Sequence, residues 1–403
     1  MQKNSSIDAP ACEPRLWPLD PQATFLNHGS FGSCPHAVLD FQRELRNRLE
    51  RQPVQFFVRD FEGLLDHARA ELARFVGAAA DDLVFVTNAT GGVNTVLRSL
   101  RFQPGDELLV TDHEYNACRN ALDFVAEKSG ARVIVAAVPF PVHSTAEIVD
   151  RILKLVSSRT RLALLDHVTS QTGIVLPIRQ LVVELAERGV EILVDGAHAP
   201  GMALLHLEEL GATYYTGNCH KWLCAPKGAA FLWVRRDRQP LIRPLTISHG
   251  ANSRRKDRSR FQIEFGWTGT SDPTACLSVP EAIRYLSSLC SGGWPEVMRR
   301  NRELALAGRK TLCEALNIPL PCPDEFIGSI ASIPIPDASA VETPPTPLYG
   351  DPLQDKLRVH HGIEAPIIPW PAPPKRLLRI SAQLYNSLDQ YKRLAAAITT
   401  ELA

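Results

Sequence analysis

No apolar run in the chain approaches the ~20 residues that a membrane-spanning helix requires, so nothing points to a bilayer partner. Net charge is also missing: 44 Lys and Arg offset 44 Asp and Glu, which leaves nucleic acids and acidic surfaces without an electrostatic handle. The one basic cluster, residues 254–260, is short and reads as a solvated loop. The nine cysteines are odd in number, scattered, and include no C-x-x-C pair. That pattern excludes a disulfide framework and a zinc ribbon, and predicts reduced thiols, no metal and a cytoplasmic location. Residues 1–6 lack the apolar segment of a secretory signal. No internal repeat or long low-complexity tract interrupts the chain.

What is present is alternation. Apolar runs occupy residues 83–87, 107–111, 132–138, 162–167, 190–195, 213–216 and 229–234. Amphipathic, helix-like segments separate most of them, at 92–100, 116–128, 145–156, 178–188 and 203–210. Such a pattern predicts an α/β fold whose seven strands form a mostly parallel sheet covered on both faces. Between the last two runs there is a loop with Pro226 and Gly228 and no helix, so the final strand is free to enter antiparallel. Past residue 275 the character changes to helix-like 277–289 and 295–316, a proline-rich stretch at 319–347, and a last helix near 388–402. A smaller α+β C-terminal domain is expected there. The expected division is an N-terminal arm at 1–24, a large domain at 25–275 and a small domain at 276–403, consistent with a chain of 403 residues.

In open sheets of this kind ligands lie beyond the carboxyl ends of the strands. Polar residues that follow apolar runs are therefore the site candidates. One run ends on Asp195; a second leads through a polar turn to Lys221, 26 positions later. One strand–helix–strand unit would bring both to the same sheet edge. A lysine and a carboxylate so placed suit pyridoxal 5'-phosphate. The amine forms a Schiff base with the aldehyde, and the carboxylate keeps the pyridine nitrogen protonated. Lys227 also sits in a turn, but the strand-like residues and His220 ahead of Lys221 favour the latter.

The segment 87–94 follows a strand and opens a helix, which makes the backbone at Ala89, Thr90 and Gly91 a phosphate cradle. Thr90 could equally be a plain helix cap. His113, just past the next run, is a candidate to stack on the cofactor ring; Tyr115 competes with it. His198 either orients Asp195 or contacts the ring oxygen.

Taken together, these motifs resemble the class V aminotransferase-type pyridoxal phosphate enzymes of fold type I, and within them the isopenicillin N epimerases and related cysteine lyases and desulfurases. The matching residues are 25–32, 87–92, Asp112-His113-Glu114-Tyr115, 167–173, Asp195-Gly196-Ala197-His198, His220-Lys221-Trp222, 269–272 and 378–381. The resemblance implies further roles. Arg379 would clamp a substrate α-carboxylate, and Asn27 would line the substrate mouth. Ser170 would lie near the ring oxygen, and His220 beside the cofactor. Thr270 would reach the cofactor phosphate of a neighbouring subunit, which implies a homodimer with a shared active site. Two departures stand out. Asn218 occupies a position where relatives carry Ser or Thr on the phosphate. Residues 359–366, where desulfurases carry a nucleophilic cysteine, contain none, and Cys322 lies too far upstream to replace it.

The implied activity is removal of a Cα proton by Lys221 from an amino acid or amino-acid-ended peptide. Epimerisation is the first expectation. A Cβ–S lyase acting on cysteine, cystine or a cysteine conjugate, or an aminotransferase, is the alternative, because the three diverge after the same step. In another class, a non-catalytic binding module would have lost Lys221, Asp195 or Arg379; all three are present.

Overall fold

The computed structural model describes residues 7–338 and 350–402. Residues 1–6 and part of the proline-rich stretch lie outside the described residues. The strands are β1 (Thr24–Phe25), β2 (Leu83–Val86), β3 (Glu107–Thr111), β4 (Arg132–Ala136), β5 (Thr160–Asp166), β6 (Glu191–Asp195), β7 (Tyr214–Asn218), β8 (Ala230–Val234), β9 (Ile330–Ile335), β10 (Ile363–Glu364), β11 (Ile367–Pro369) and β12 (Arg376–Ser381).

Seven of them form the main sheet in the order β2-β8-β7-β6-β5-β3-β4. Strands β3, β7 and β8 are buried along their whole length. β8 accordingly reads as one continuous apolar run and not as alternation, as expected of a strand covered on both faces. All neighbours are parallel except β8, which runs antiparallel to both β2 and β7. A parallel return needs a crossover of a dozen or more residues, usually helical. The loop between β7 and β8 contains none, so the chain comes straight back. From β3 the chain steps outward to β4, then crosses to β5 on the other side of β3. This change of direction opens a crevice at the strand ends, where a site is expected.

Several helices depart from the sequence reading. The expected helix at 203–210 is only Leu207–Leu210. The turn before it holds Gly201 at φ +85, where a Cβ would stand 2.7 Å from the Trp222 carbonyl carbon. The expected helix at 277–289 is split into Thr274–Leu277 and Val279–Ser288, because Pro280 has no N–H with which to continue the ladder. Two long helices, His36–Arg51 and Phe61–Val76, precede the sheet; the alternation read from residue 83 onward does not reach them. Their inner faces contribute Leu45, Leu49 and Ala68 to a cluster with Phe56 and Leu277. The basic cluster at 254–260 is docked and not simply solvated. Arg258 places both terminal nitrogens on Asp66, and Arg255 bonds Glu62, both acids lying on the helix Phe61–Val76.

The smaller α+β part has the antiparallel sheet β11-β12-β9, against which the helix Gly293–Ala315 packs. The N-terminal segment joins it. β1 pairs in parallel with β10, Ala11 N–H donates to Leu384 O, and Ser381 N–H donates to Leu26 O. These bonds bring Asn27 beside Arg379, which is 352 positions away. Among the described residues no helix is long and apolar enough to cross a membrane, and all nine cysteines are free.

The helix Ala89–Ser99 lies unusually close to the sheet, because a Cβ on Gly92 would fall 2.1 Å from Thr216 Oγ1. Gly92→Ala should therefore lower stability by about 1–3 kcal/mol through overpacking. Urea denaturation would check this, and an unchanged midpoint would show that the helix can move away from β7.

Candidate active site

Lys221 follows β7 in a turn that is held from several sides. His28 Nε2 lies 3.0 Å from the Lys221 carbonyl oxygen and His28 Nδ1 lies 2.8 Å from the Tyr385 hydroxyl. The His28 ring also packs on Trp222 at 5.0 Å between centroids. The approach is tight: Gly32, at φ +68, would place a Cβ only 2.0 Å from the His220 carbonyl oxygen, so only glycine fits there. The Lys221 side chain points to His198, with Nζ 2.9 Å from Nε2. Burial, and then the Arg379 charge, lower the Lys221 pKa to about 8. His198 is held well below its ordinary value by burial and the Lys221 charge, so the imidazole is neutral. Lys227 Nζ instead donates to Gly32 O at 3.0 Å and serves the turn.

Asp195 ends β6 and is buried. Its Oδ1 accepts the Ala197 N–H at 2.9 Å, and its Oδ2 accepts the Cys118 thiol at 3.1 Å. Asp166, at the end of β5, is its register partner in the sheet. Glu114 reaches the same place from beyond β3: Glu114, Cys118 and Asp195 place one polar atom each within 4.8 Å of one another. Desolvation raises the pKa of all three carboxyls, Glu114 and Asp166 the most, with the neighbouring acids adding to the rise in both.

The helix Ala89–Ser99 opens with Asn88 as its cap, whose Oδ1 accepts the Gly91 N–H at 2.7 Å. Asn218 Oδ1 accepts the Ala89 N–H at 2.9 Å, which gives this residue a structural task at the same spot. The Gly92 N–H donates to Asn88 O. Thr90, half-buried, sits between these committed groups.

On the opposite side Arg379, on β12, donates to Ser170 O at 2.6 Å, to Ser30 Oγ at 2.6 Å and to Asn27 Oδ1 at 3.3 Å. Ser170 Oγ is 3.4 Å from the same guanidinium. His113 is buried, with Nδ1 2.7 Å from Thr172 Oγ1 and Nε2 2.9 Å from Val138 O. Its ring meets Trp370 edge-on at 4.7 Å. Tyr115 is 38% exposed. His220 Nδ1 lies 3.3 Å from Ala229 O, and burial pulls its pKa to about 4. Thr270 is exposed, on the loop after the helix Arg260–Gly266.

The structure thus gathers Lys221, His198 and Asp195 at one sheet edge and ties Arg379, Asn27 and Ser170 together beside them. Thr270 stands apart, on the surface. Sequence reasoning missed His28, Ser30, Glu114, Cys118 and Asp166 as site components. Asp166 had a signal, since it too ends an apolar run; Cys118 lies one turn into the helix that follows Tyr115.

A lysine with a pKa of about 8 is neutral to a large extent at mild alkaline pH. Acylation by an amine-selective reagent, with no carbonyl compound bound, should therefore modify Lys221 half-maximally near pH 8, below the ordinary lysine range. Peptide mapping would check it; half-maximal modification near the ordinary lysine value of 10.5 would overturn it.

The family model for Aminotransferase class-V matches residues 34–341. An isopenicillin N epimerase of Amycolatopsis lactamdurans is 36% identical over 394 residues, covering 94% of this chain and 95% of that protein. A chloroplastic Arabidopsis thaliana protein named as a probable L-cysteine desulfhydrase is 32% identical, with 94% and 83% covered. Among solved structures, a cysteine desulfurase of Thermococcus onnurineus NA1 superposes with a TM-score of 0.78 at 18% identity, covering 96% of each chain. The cystine C–S lyase C-DES, in complex with cysteine persulfide, gives 0.76 at 20% identity, with 94% and 98% covered. These two likenesses establish the fold, and the family match over most of the chain, with relatives at 36% and 32% identity, shows the family: the chain belongs to the class V aminotransferase family.

Proposed function

We propose that the protein is a pyridoxal phosphate enzyme acting at the Cα of an amino acid or of a peptide ending in one, with epimerisation as the first reading. The observation that carries it is the convergence of Lys221, His198 and buried Asp195 opposite an arginine fixed by Asn27, Ser30 and Ser170. The residues fit the cofactor. An amine with a lowered pKa, a dry carboxylate and a helix start are the groups it needs, and the buried Nδ1 of His198 has no partner among the described residues. When bound, pyridoxal phosphate supplies a conjugated ring that withdraws electron density from Cα.

Lys221 would hold the cofactor, and its neutral amine is the base that would take the Cα proton. Asp195 would be the counter-charge for a protonated ring nitrogen. Ala89, Gly91 and Gly92 already spend their N–H groups on Asn218 and Asn88. Within the subunit that leaves Thr90, at the positive end of the helix, as the group that would meet the phosphate, and Thr270 would be supplied by a second subunit of a homodimer. The large domain at 25–275 carries these groups, and the small domain at 276–403 carries Arg379. His113 is held through its ring nitrogens by Thr172 and Val138, bonds that lie in the ring plane and fix it without occupying its faces, so it stays the candidate to stack on the cofactor ring, with Tyr115 as its competitor.

Persulfide-forming desulfuration is not supported. Residues 359–366 lack a thiol, and His360 and His361 there bind Glu401. Cys322 is buried against Arg309. Carbon–sulfur lysis stays as the second reading, supported by the desulfhydrase-named relatives.

Incubation with a panel of L-amino acids, cysteine conjugates and amino-acid-ended peptides in D₂O separates the readings. Deuterium at Cα with inverted configuration is expected; pyruvate release would transfer the assignment to the lyase, and no exchange with any substrate would overturn it. Asp195→Asn should lower turnover about 10³-fold, or ~4 kcal/mol of barrier, and near-normal turnover would remove Asp195 from the mechanism. Arg379→Lys keeps the charge but loses the planar fork, so kcat/KM should fall by about 10- to 100-fold, mostly in KM. An unchanged KM would place the substrate carboxylate elsewhere.

A further inference from the structure

Three carboxyl groups end up together at adjacent strand ends. Asp166 and Asp195 are register partners on β5 and β6, and Glu114 comes from the segment after β3 with a carboxylate oxygen within 4.8 Å of Asp195. All three are buried. Both Glu114 oxygens and Asp166 Oδ2 lack a hydrogen-bond partner among the described residues. Asp195 differs: each of its oxygens accepts a hydrogen bond, from Ala197 and Cys118. Three negative charges cannot coexist in so dry a space, because an unpaired buried charge costs several kcal/mol and like charges in one site force protons onto all but one. The anion settles where donors already point, and that place is Asp195.

We propose that Glu114, together with Asp166, is a positioning residue: a buried neutral acid that confines the single negative charge of the cluster to Asp195 and turns its own O–H toward that carboxylate. This rests on the reading above, in which Asp195 faces the ring nitrogen of the cofactor. The consequence is chemical. A proton shared between a pyridine nitrogen and a carboxylate stays on nitrogen only if the carboxylate is a weak base. Each O–H or S–H donated to Asp195 weakens it. Glu114 and Cys118 would therefore keep the proton on the ring, while Asp195 supplies the counter-charge. The groups that face Glu114 are Asp166, Asp195, Cys118, Arg119 and the Tyr115 backbone N–H. Only the Tyr115 N–H and Arg119 favour its ionised form; Arg119 Nε is already bound to Asp123, and burial with the two acids outweighs both. Its carboxyl is held far above the ordinary glutamate range, chiefly by burial and then by Asp166 and Asp195.

Infrared difference spectra test the protonation state directly, on the loaded enzyme and on protein freed of cofactor. Wild type minus Glu114→Gln at pH 7.5 should show a neutral carboxylic acid carbonyl band, shifted in D₂O, and wild type minus Asp166→Asn a second one. Carboxylate bands in their place would overturn the proposal. A stability readout follows from the sign of the shift. A raised folded-state pKa gives stability that is present below the ordinary Glu value of 4.5 and lost as pH rises. Glu114→Gln should hence gain in melting temperature over wild type as pH goes from 4 to 8, and a constant difference would contradict it. Glu114→Gln, which keeps a neutral donor, should bind pyridoxal phosphate within about threefold of wild type, whereas Glu114→Leu should bind it about tenfold more weakly or worse. Wild-type affinity in a folded Leu variant would overturn the positioning role; should that variant fail to fold, the infrared bands decide. If Asp195→Asn binds the cofactor as well as wild type does, the cofactor reading fails instead, and the infrared result on the free protein still stands or falls alone.

Discussion

The site depends on one constraint: an amine and a carboxylate must both be kept out of water at a single sheet edge. In water each charge would be solvated and chemically ordinary. In the crevice beyond β6 and β7, burial lowers the Lys221 pKa to about 8 and raises that of Asp195. The two shifts have one cause, desolvation of the charged form, and they work to opposite chemical ends. The lysine becomes a base and nucleophile near neutrality. The carboxylate becomes a group that needs a cationic partner, and in the proposed function a protonated ring nitrogen would supply one.

Much of the remaining architecture serves to hold that edge. β7 carries Lys221 because its five residues are buried between β6 and β8. The turn after it is clamped by His28 from the N-terminal segment. That segment is itself fastened to the small domain through β1 and β10 and through Ser381. Arg379 is drawn into the same junction by Asn27, Ser30 and Ser170. The lysine turn and Arg379 thus share one support, so a displacement of residues 27–32 would disturb both.

Acid content in the crevice is higher than a single counter-ion needs. Placing Glu114 and Asp166 beside Asp195 would be strongly unfavourable if all were ionised. Carried as neutral acids, they become donors that define which oxygen pair bears the charge. A network of this kind fixes a protonation state as well as a shape.

The sequence alone determined the alternating α/β architecture, the seven strands and the residues at their carboxyl ends. Period, run length and strand-end position are local properties, and Asp195, Lys221 and the helix start at 88–92 could be read from them. The helix-free loop that lets β8 enter antiparallel and the proline that divides residues 274–288 are local features as well. Tertiary structure decided what local pattern cannot encode. The commitment of Asn218 and Asn88 to backbone N–H groups, the locking of His113 by Thr172, Val138 and Trp370, and the meeting of Asn27 with Arg379 across 352 positions all depend on packing between distant segments. Above all, the charge states of Glu114, Asp166 and Asp195 depend on their mutual distance and on exclusion of water, and both exist only once β3, β5 and β6 lie side by side.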